Sequence, residues 1–439
     1  MVVKFNDKEK FYQKGKDMLL SFSCGNYASF KDVKTLSMVA AKPVKEYQDK
    51  NVIQAERYNL LKSAVVYGAN ASGKSNLFKA MAKMKELVIN SSKDFQKDEP
   101  LGIEPFLLNS VSAKKPSFFE VCIDIDDIKY RYGFEADQTS IMAEWLFFST
   151  KIKEAPLFIR EGDEIEIFDK FVGGSGLEER TRSNALFISV CAQFNVQIAG
   201  DVLDWFVSLN VISGFHDYKY QRFSENMLLE EEIEKEWILD FLSKADLSIR
   251  DITIKKDKQS QELKPLSQFG KVGIAPVKTV ISSSHNVYSD QGEVVGSTLF
   301  DFNNQESEGS KKYFRLSGPI VDSLMYGRVL AVDELDSRLH PALTAEIVRL
   351  FNSTKTNPNN AQLIFVTHNT NLLSSKMFRR DQIWFTEKDH VEATDLYSLV
   401  EYKTEKGLVR KDASFEKDYF HGRYGAIPLL GDFNKIWSN

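Results

Sequence analysis

The sequence predicts an α/β fold, and three observations carry that reading. Apolar strand-like runs alternate with amphipathic helical stretches, the pattern of strand–helix–strand units. A glycine-rich loop, Gly68-Ala-Asn-Ala-Ser-Gly73-Lys74-Ser75, separates one such run from a helix. A second apolar run, Arg328 to Asp333, ends on an acidic pair, Asp333-Glu334.

At 439 residues the chain exceeds what one hydrophobic core normally serves, so two lobes are expected. Composition shifts divide it into an N-terminal extension at 1–17, a first lobe at 18–183, a helical and irregular insertion at 184–299, and a second lobe at 300–439. The first seventeen residues are lysine-rich and without periodicity, and Met18 offers an alternative start. Met18 to Phe30 and Val33 to Ala40 then read as two strands joined through polar residues. Lys62 to Tyr67 is a short buried strand, and Leu77, Met81, Met84 and Val88 recur at helical spacing behind the glycine loop. Residues 91–116 form a polar connection. Residues 117–170 are strand-rich, with turn signals such as Asp126-Asp127. Residues 184–250 read as helical, with Leu228 to Lys244 an exposed amphipathic helix carrying Leu229, Ile233, Trp237, Leu239 and Phe241. Residues 250–300 read as polar and irregular with hints of strands. Beyond them, Pro341 opens a helix whose expected buried face is Leu343, Ile347, Leu350 and Phe351. Ala361 to Thr367 is a third buried strand.

Fifty-seven basic against 62 acidic residues leave a net charge of −5, which gives no global electrostatic footprint for nucleic acid. Lys255-Lys256-Asp257-Lys258 is a small local basic cluster. Cys24, Cys122 and Cys191 stand far apart and form no C-x-x-C, as expected of reduced thiols in a cytoplasmic protein. No apolar run approaches the roughly 18–20 residues of a membrane helix.

The chemistry concentrates in a few segments. The glycine loop fits G-x-x-x-x-G-K-[ST], whose backbone N–H groups cradle phosphates, and its setting between strand and helix is the one that motif requires. Gly68 and Gly73 allow close backbone approach, where a Cβ would meet a phosphate. Lys74 is placed to reach β- and γ-phosphates, and Ser75 to ligate Mg²⁺. Asp333, at the end of a buried strand, can hold the same metal, usually through water. Glu334 can act as general base toward the attacking water. His368 closes the next strand, where it can contact the γ-phosphate. Ser307-Glu308-Gly309-Ser310 stands at a helix start, with a capping serine and a glycine that permits approach to an anion.

Taken together, Gly68–Asn76 (with Asn70, Ser72 and Asn76), Ser307–Ser310, Asp333–Glu334, Asp336 to His340 and His368 resemble a P-loop ABC-type ATPase head of the SMC, RecF and Rad kind. That resemblance covers residues 18–90 and 300–390. It implies a mixed β-sheet lobe, a helical insertion, ATP and Mg²⁺ as ligands, and two copies closing on ATP as a homodimer or within a higher oligomer. Ser307, Gly309 and Ser310 would then meet the γ-phosphate held by the other copy, and residues 336–340 would form the inter-subunit loop. MLLSFSCGNYASFKD, EPFLLN at 104–109 and the tail from Phe415 to Pro428 resemble the narrower RloA/AbiL group, ATPases of prokaryotic anti-phage abortive infection encoded beside a nuclease-like partner. Too short a stretch follows residue 390 for an acidic nuclease domain, so the effector is expected on a separate polypeptide. Long coiled coils and a C-x-x-C hook are lacking, which argues against a full chromosome tether. A RecF-like DNA-repair ATPase is the alternative. The energy subunit of a membrane transporter is a remoter one.

Overall fold

A computed structural model describes residues 17–55, 57–151, 153–212, 218–230, 232–245, 248–256, 279–404, 407–411 and 413–428. The extension expected over 1–17 lies outside them except for Asp17, as do residues 257–278, which include part of the small basic cluster. The chain divides into two compact units, one of Met1–Gly214, Ser323–Ser337 and Thr344–Asn439, the other of Phe215–Asp322 and Arg338–Leu343. The α/β P-loop head anticipated from the sequence is the fold observed.

The first unit opens with β1 (Met18–Gly25) and β2 (Lys34–Ser37), an antiparallel pair. A short ribbon of β3 (Val52–Gln54) and β4 (Asn59–Leu61) follows. It is too brief for alternation to reveal it in sequence. Next, β5 (Ser63–Gly68) is buried at every position, as suits a central strand of a sheet covered on both faces. The glycine loop then leads into α1 (Lys74–Asn90), which buries Leu77, Met81, Met84 and Val88 as their spacing predicts. β6 (Ser117–Ile125), β7 (Ile128–Ala136), β8 (Ile141–Ser149), β9 (Ala155–Glu161) and β10 (Glu164–Ile167) extend the opening hairpin into a seven-stranded antiparallel sheet ordered β10-β9-β8-β7-β6-β1-β2.

Two helices, α2 (Phe187–Gln193) and α3 (Gln197–Ser208), complete the same core with Phe187, Val202, Trp205 and Phe206. The boundary drawn at residue 184 therefore differs from the division of the chain, because these apolar faces belong to the first unit. β11 (Asn210–Ile212) adds a strand where the sequence suggested only helix.

The second unit contains α4 (Tyr218–Glu230), α5 (Glu232–Ser243), and a three-stranded antiparallel sheet of β12 (Asp251–Lys256), β13 (Thr279–Tyr288) and β14 (Val294–Asp301). Over Leu228 to Lys244 the buried residues are Leu228, Ile238 and Leu242, while the expected Ile233 stays exposed. The strands at 250–300 are regular. The run Ser282-Ser-Ser284 hid their alternation, with Ile281 and Ser283 both buried. α6 (Phe302–Gln305) and the start of α7 (Glu308–Tyr326) close this unit.

The chain then supplies β15 (Val329–Val332), α8 (Pro341–Asn352), β16 (Gln362–Val366), β17 (Ile383–Lys388), β18 (Thr394–Ser398) and α9 (Phe415–Phe420). On α8 the buried face is Thr344, Ala345, Ile347, Val348, Phe351 and Asn352, so the predicted Leu343 and Leu350 sit one position off the buried stripe. The central sheet runs β11-β15-β16-β5-β17-β18, parallel throughout except for β18. Among the described residues no helix is long and apolar enough to cross a membrane.

A buried ion pair fixes the entry to β17. The Arg379 guanidinium donates twice to Asp381, at 2.9 and 2.7 Å, and also to the carbonyls of Val44 (3.1 Å) and Glu46 (2.6 Å). Both charged groups are almost wholly enclosed. Replacing Arg379 by Ala leaves the Asp381 carboxylate buried without its counter-ion, so stability should fall by about 3–5 kcal/mol. Urea unfolding followed by tryptophan fluorescence measures this, and an unchanged midpoint would show that water can replace the guanidinium.

Candidate nucleotide site

Strands β15, β16 and β5 are parallel neighbours, in register at Val332 with Phe365 and at Val366 with Val66. Their carboxyl ends therefore deliver three loops to one edge of the sheet, the edge at which α/β folds bind ligands. The loops are the glycine loop after β5, Asp333-Glu334 after β15, and His368 after β16.

The glycine loop is held in a tight form. Gly73 has φ +107°, and a Cβ there would overlap the Thr394 side chain; a Cβ at Gly68 would overlap Thr386. The protein's own atoms thus crowd both positions, a demand for glycine separate from the expected approach to a phosphate. Helix α1 starts at Lys74 with no side-chain cap and no acidic residue in its first turn. Its leading N–H groups are left for an anion, which the helix dipole also favours. Asn70 is exposed on the loop, whereas the Ser72 and Asn76 side chains are bonded inside the protein: Ser72 Oγ lies 2.6 Å from Thr386 Oγ1, and Asn76 donates to Ser29 Oγ at 2.8 Å.

Lys74 is 6% exposed, and its ammonium donates to the Gly68 and Ala69 carbonyls at 2.8 Å each. Burial pushes its pKa down to about 8, against the pull of Asp333, Glu334 and Asp336. Those three carboxylates act on the lysine because the two motifs come together. The Ser75 side chain lies beside the Asp333 carboxylate and favours its charged form. Asp333 is buried, and desolvation raises its pKa despite Ser75 and the nearby Lys74. Its Oδ1 has no hydrogen-bond partner among the described residues. A buried, unpartnered carboxylate oxygen beside a serine hydroxyl is a donor set suited to Mg²⁺, which takes one or two carboxylates and completes its shell with phosphate and water. Among the described residues there is no cluster of three or more His, Cys, Asp and Glu that could hold a metal ion.

Glu334 is half-buried with φ +54°, a conformation of the kind that clusters at active sites. His368 is exposed, and its N–H donates to Asp336 Oδ2 at 3.2 Å. The following carbonyl, of Asn369, accepts from the buried Tyr67 hydroxyl at 3.2 Å. Ser307, Gly309 and Ser310 belong to the second unit. There Ser307 Oγ caps α7 by accepting from the Ser310 N–H at 3.0 Å, and Arg338 pairs with Glu308 at 2.7 Å. Sequence reasoning missed Ser29, Thr386 and Thr394 around the loop. Ser29 lies in the strand motif already noted, but nothing marks two threonines in ordinary strands.

Fold and site together define a P-loop ATPase. Residues 63–374 match the family described as "AAA domain, putative AbiEii toxin, Type IV TA system", and the chain belongs to that family. Among solved structures it is similar to the "SMC head domain from Thermotoga maritima", at 14% identity and a TM-score of 0.39, covering 87% of this chain and 98% of that one. It is also similar to the structure described as "SmcHead bound to the C-winged helix domain of ScpA", at 13% identity and a TM-score of 0.42, covering 88% and 98%. No curated protein sequence matches the chain.

The depressed Lys74 pKa predicts how nucleotide affinity depends on pH. A bound triphosphate favours the charged ammonium, so binding takes up a proton once the free lysine has lost one, above pH 8. Affinity for a non-hydrolysable ATP analogue should therefore weaken between pH 8 and 9.5, by up to about tenfold per unit. Calorimetric titration without metal checks it, with Lys74→Ala as the variant that lacks the slope.

Proposed function

We propose that the protein is an ATP-binding and hydrolysing switch, two copies of which close on ATP to control a separate effector in prokaryotic anti-phage defence. The observation that carries this reading is the meeting of the two motifs, with Ser75 beside Asp333 and Lys74 in the field of Asp333 and Glu334. In this reading the α1 N-terminus and Lys74 hold the triphosphate, and Ser75 with Asp333 holds Mg²⁺. The metal, when bound, neutralises charge on the phosphate oxygens. Glu334 accepts a proton from the attacking water, and His368 contacts the γ-phosphate.

Ser307, Gly309 and Ser310 act in the partner copy's site, as in the ABC-type heads they resemble. Conformation is passed on through the loop after His368. Thr370 Oγ1 meets Glu416 of the tail at 3.3 Å, and the Tyr67 ring, whose hydroxyl holds Asn369, packs against Tyr419 at 6.0 Å. These contacts support the C-terminal tail as an element that reports nucleotide state, a role the helical region at 184–250 would share. The family's description, which names an AbiEii toxin and a type IV toxin–antitoxin system, supports a place in abortive infection. The RloA/AbiL-like segments support the same place, and a nuclease-like protein is the effector class they imply.

Glu334→Gln should keep nucleotide binding, lower turnover by at least about 100-fold, the scale of a lost general base, and prolong the ATP-bound dimer. Phosphate release together with size exclusion in ATP tests this. An assembly state indifferent to ATP in both proteins would remove the switch. Lys74→Ala should abolish hydrolysis and phage protection together, and protection that survives undiminished would make nucleotide incidental to defence.

A further inference from the structure

A loop that turns its N–H groups toward an anion must direct its carbonyls away, and each buried carbonyl then needs a donor on the far side. Around Ser72 and Gly73 that donor is a side chain distant in sequence. Thr394 Oγ1, on β18, lies 2.9 Å from the Ser72 carbonyl oxygen and 2.7 Å from Ser29 Oγ, its one hydrogen shared between the two acceptors. Asn76, in the first turn of α1, donates to the same Ser29 Oγ at 2.8 Å. The Thr394 N–H donates to the Ser29 carbonyl at 2.8 Å. Thr394 is 2% exposed and fills the space a Cβ on Gly73 would need, so the loop cannot relax toward it.

We infer that Thr394 and Ser29 form a hydroxyl clasp that holds the Ser72–Gly73 peptide in its anion-receiving orientation, making both positioning residues for nucleotide binding. The inference rests on the ATPase reading above and deepens it. The clasp joins three pieces of chain: the turn after β1, the phosphate loop with α1, and β18. Neither hydroxyl is charged, and neither is assigned to the phosphates themselves. The clasp acts on ground-state binding, because the loop must hold its shape before the ligand arrives. The water-activating Glu334 lies on another strand end and is left as it is.

The test is Thr394→Val, which keeps the shape and removes the hydroxyl, alongside Thr394→Ser and Ser29→Ala. Thr394→Val should raise the Kd for a non-hydrolysable ATP analogue, and the KM for ATP, by about tenfold, the scale of one lost buried hydrogen bond. Turnover at saturation should stay within about twofold. Thr394→Ser should restore affinity, and Ser29→Ala should weaken it in the same direction, which keeps the test decisive if the valine protein fails to fold. An unchanged Kd, or a loss confined to turnover, overturns the clasp. A second readout needs no nucleotide. The Asn76 and Leu77 amides bond the Gly73 carbonyl, and their hydrogen exchange should quicken about tenfold in Thr394→Val. Unchanged exchange also overturns the clasp. Wild-type protein that binds no nucleotide sinks the ATPase reading instead, and the exchange measurement then decides the clasp alone.

Discussion

The polarity of the peptide group constrains this site more than any single side chain. N–H and C=O point in opposite directions, so a loop that presents donors to a phosphate must satisfy its acceptors behind itself. Four acceptors of the phosphate loop are met in this way. Lys74 takes the carbonyls of Gly68 and Ala69. The N–H groups of Asn76 and Leu77 take that of Gly73, and Thr394 takes that of Ser72. In the proposed site one of these arrangements would be exchanged when nucleotide binds. The Lys74 ammonium is the partner that a triphosphate would claim, and the first turn of α1 then shares its load.

Strand order makes the rest of the site follow. With β16 between β5 and β15, the loop bearing His368 lies between the phosphate loop and the acidic pair. The three carboxylates Asp333, Glu334 and Asp336 thus act on Lys74, while burial works against charge on both sides. Burial raises the pKa of the Asp333 carboxylate and lowers that of Lys74, so it works against the charged form of each. A cation at Asp333 and an anion at Lys74 would each relieve its own side, and each would favour the other's arrival. Electrostatics alone therefore couples the two ligands, without a moving part.

The strongest sequence signals were those tied to geometry that the backbone must obey. β5, β15 and β16 are buried on both faces, so they read as unbroken apolar runs, and the loops after them carry residues whose spacing suits little besides a phosphate site. The α1 stripe of Leu77, Met81, Met84 and Val88 was legible for the same reason. What escaped was short, or polar within the core. β3, β4 and β11 are three residues each, too few for a period to register. β13 buries a serine where an apolar residue would have marked the inward face. On α8 the buried stripe includes Thr344 and Asn352, so the visible leucines pointed one position away. As a pair, Ser29 and Thr394 were invisible because they stand 365 residues apart, and a hydroxyl in a turn or a strand has no distinguishing pattern.

The choice of neutral braces at the site, against an ionic one elsewhere, follows from the field that a triphosphate requires. Far from the phosphate loop, Arg379 and Asp381 fix the start of β17 with opposite charges, and nothing nearby is disturbed. Beside the loop, an added carboxylate would repel the ligand and an added cation would compete with Lys74 for it. A threonine hydroxyl does neither. It orients one carbonyl, carries no net charge, and gives salt nothing to screen. The loop is thereby shaped by groups that leave its potential to the helix terminus and one lysine, which is how the same few residues can be held rigid and still respond to what binds.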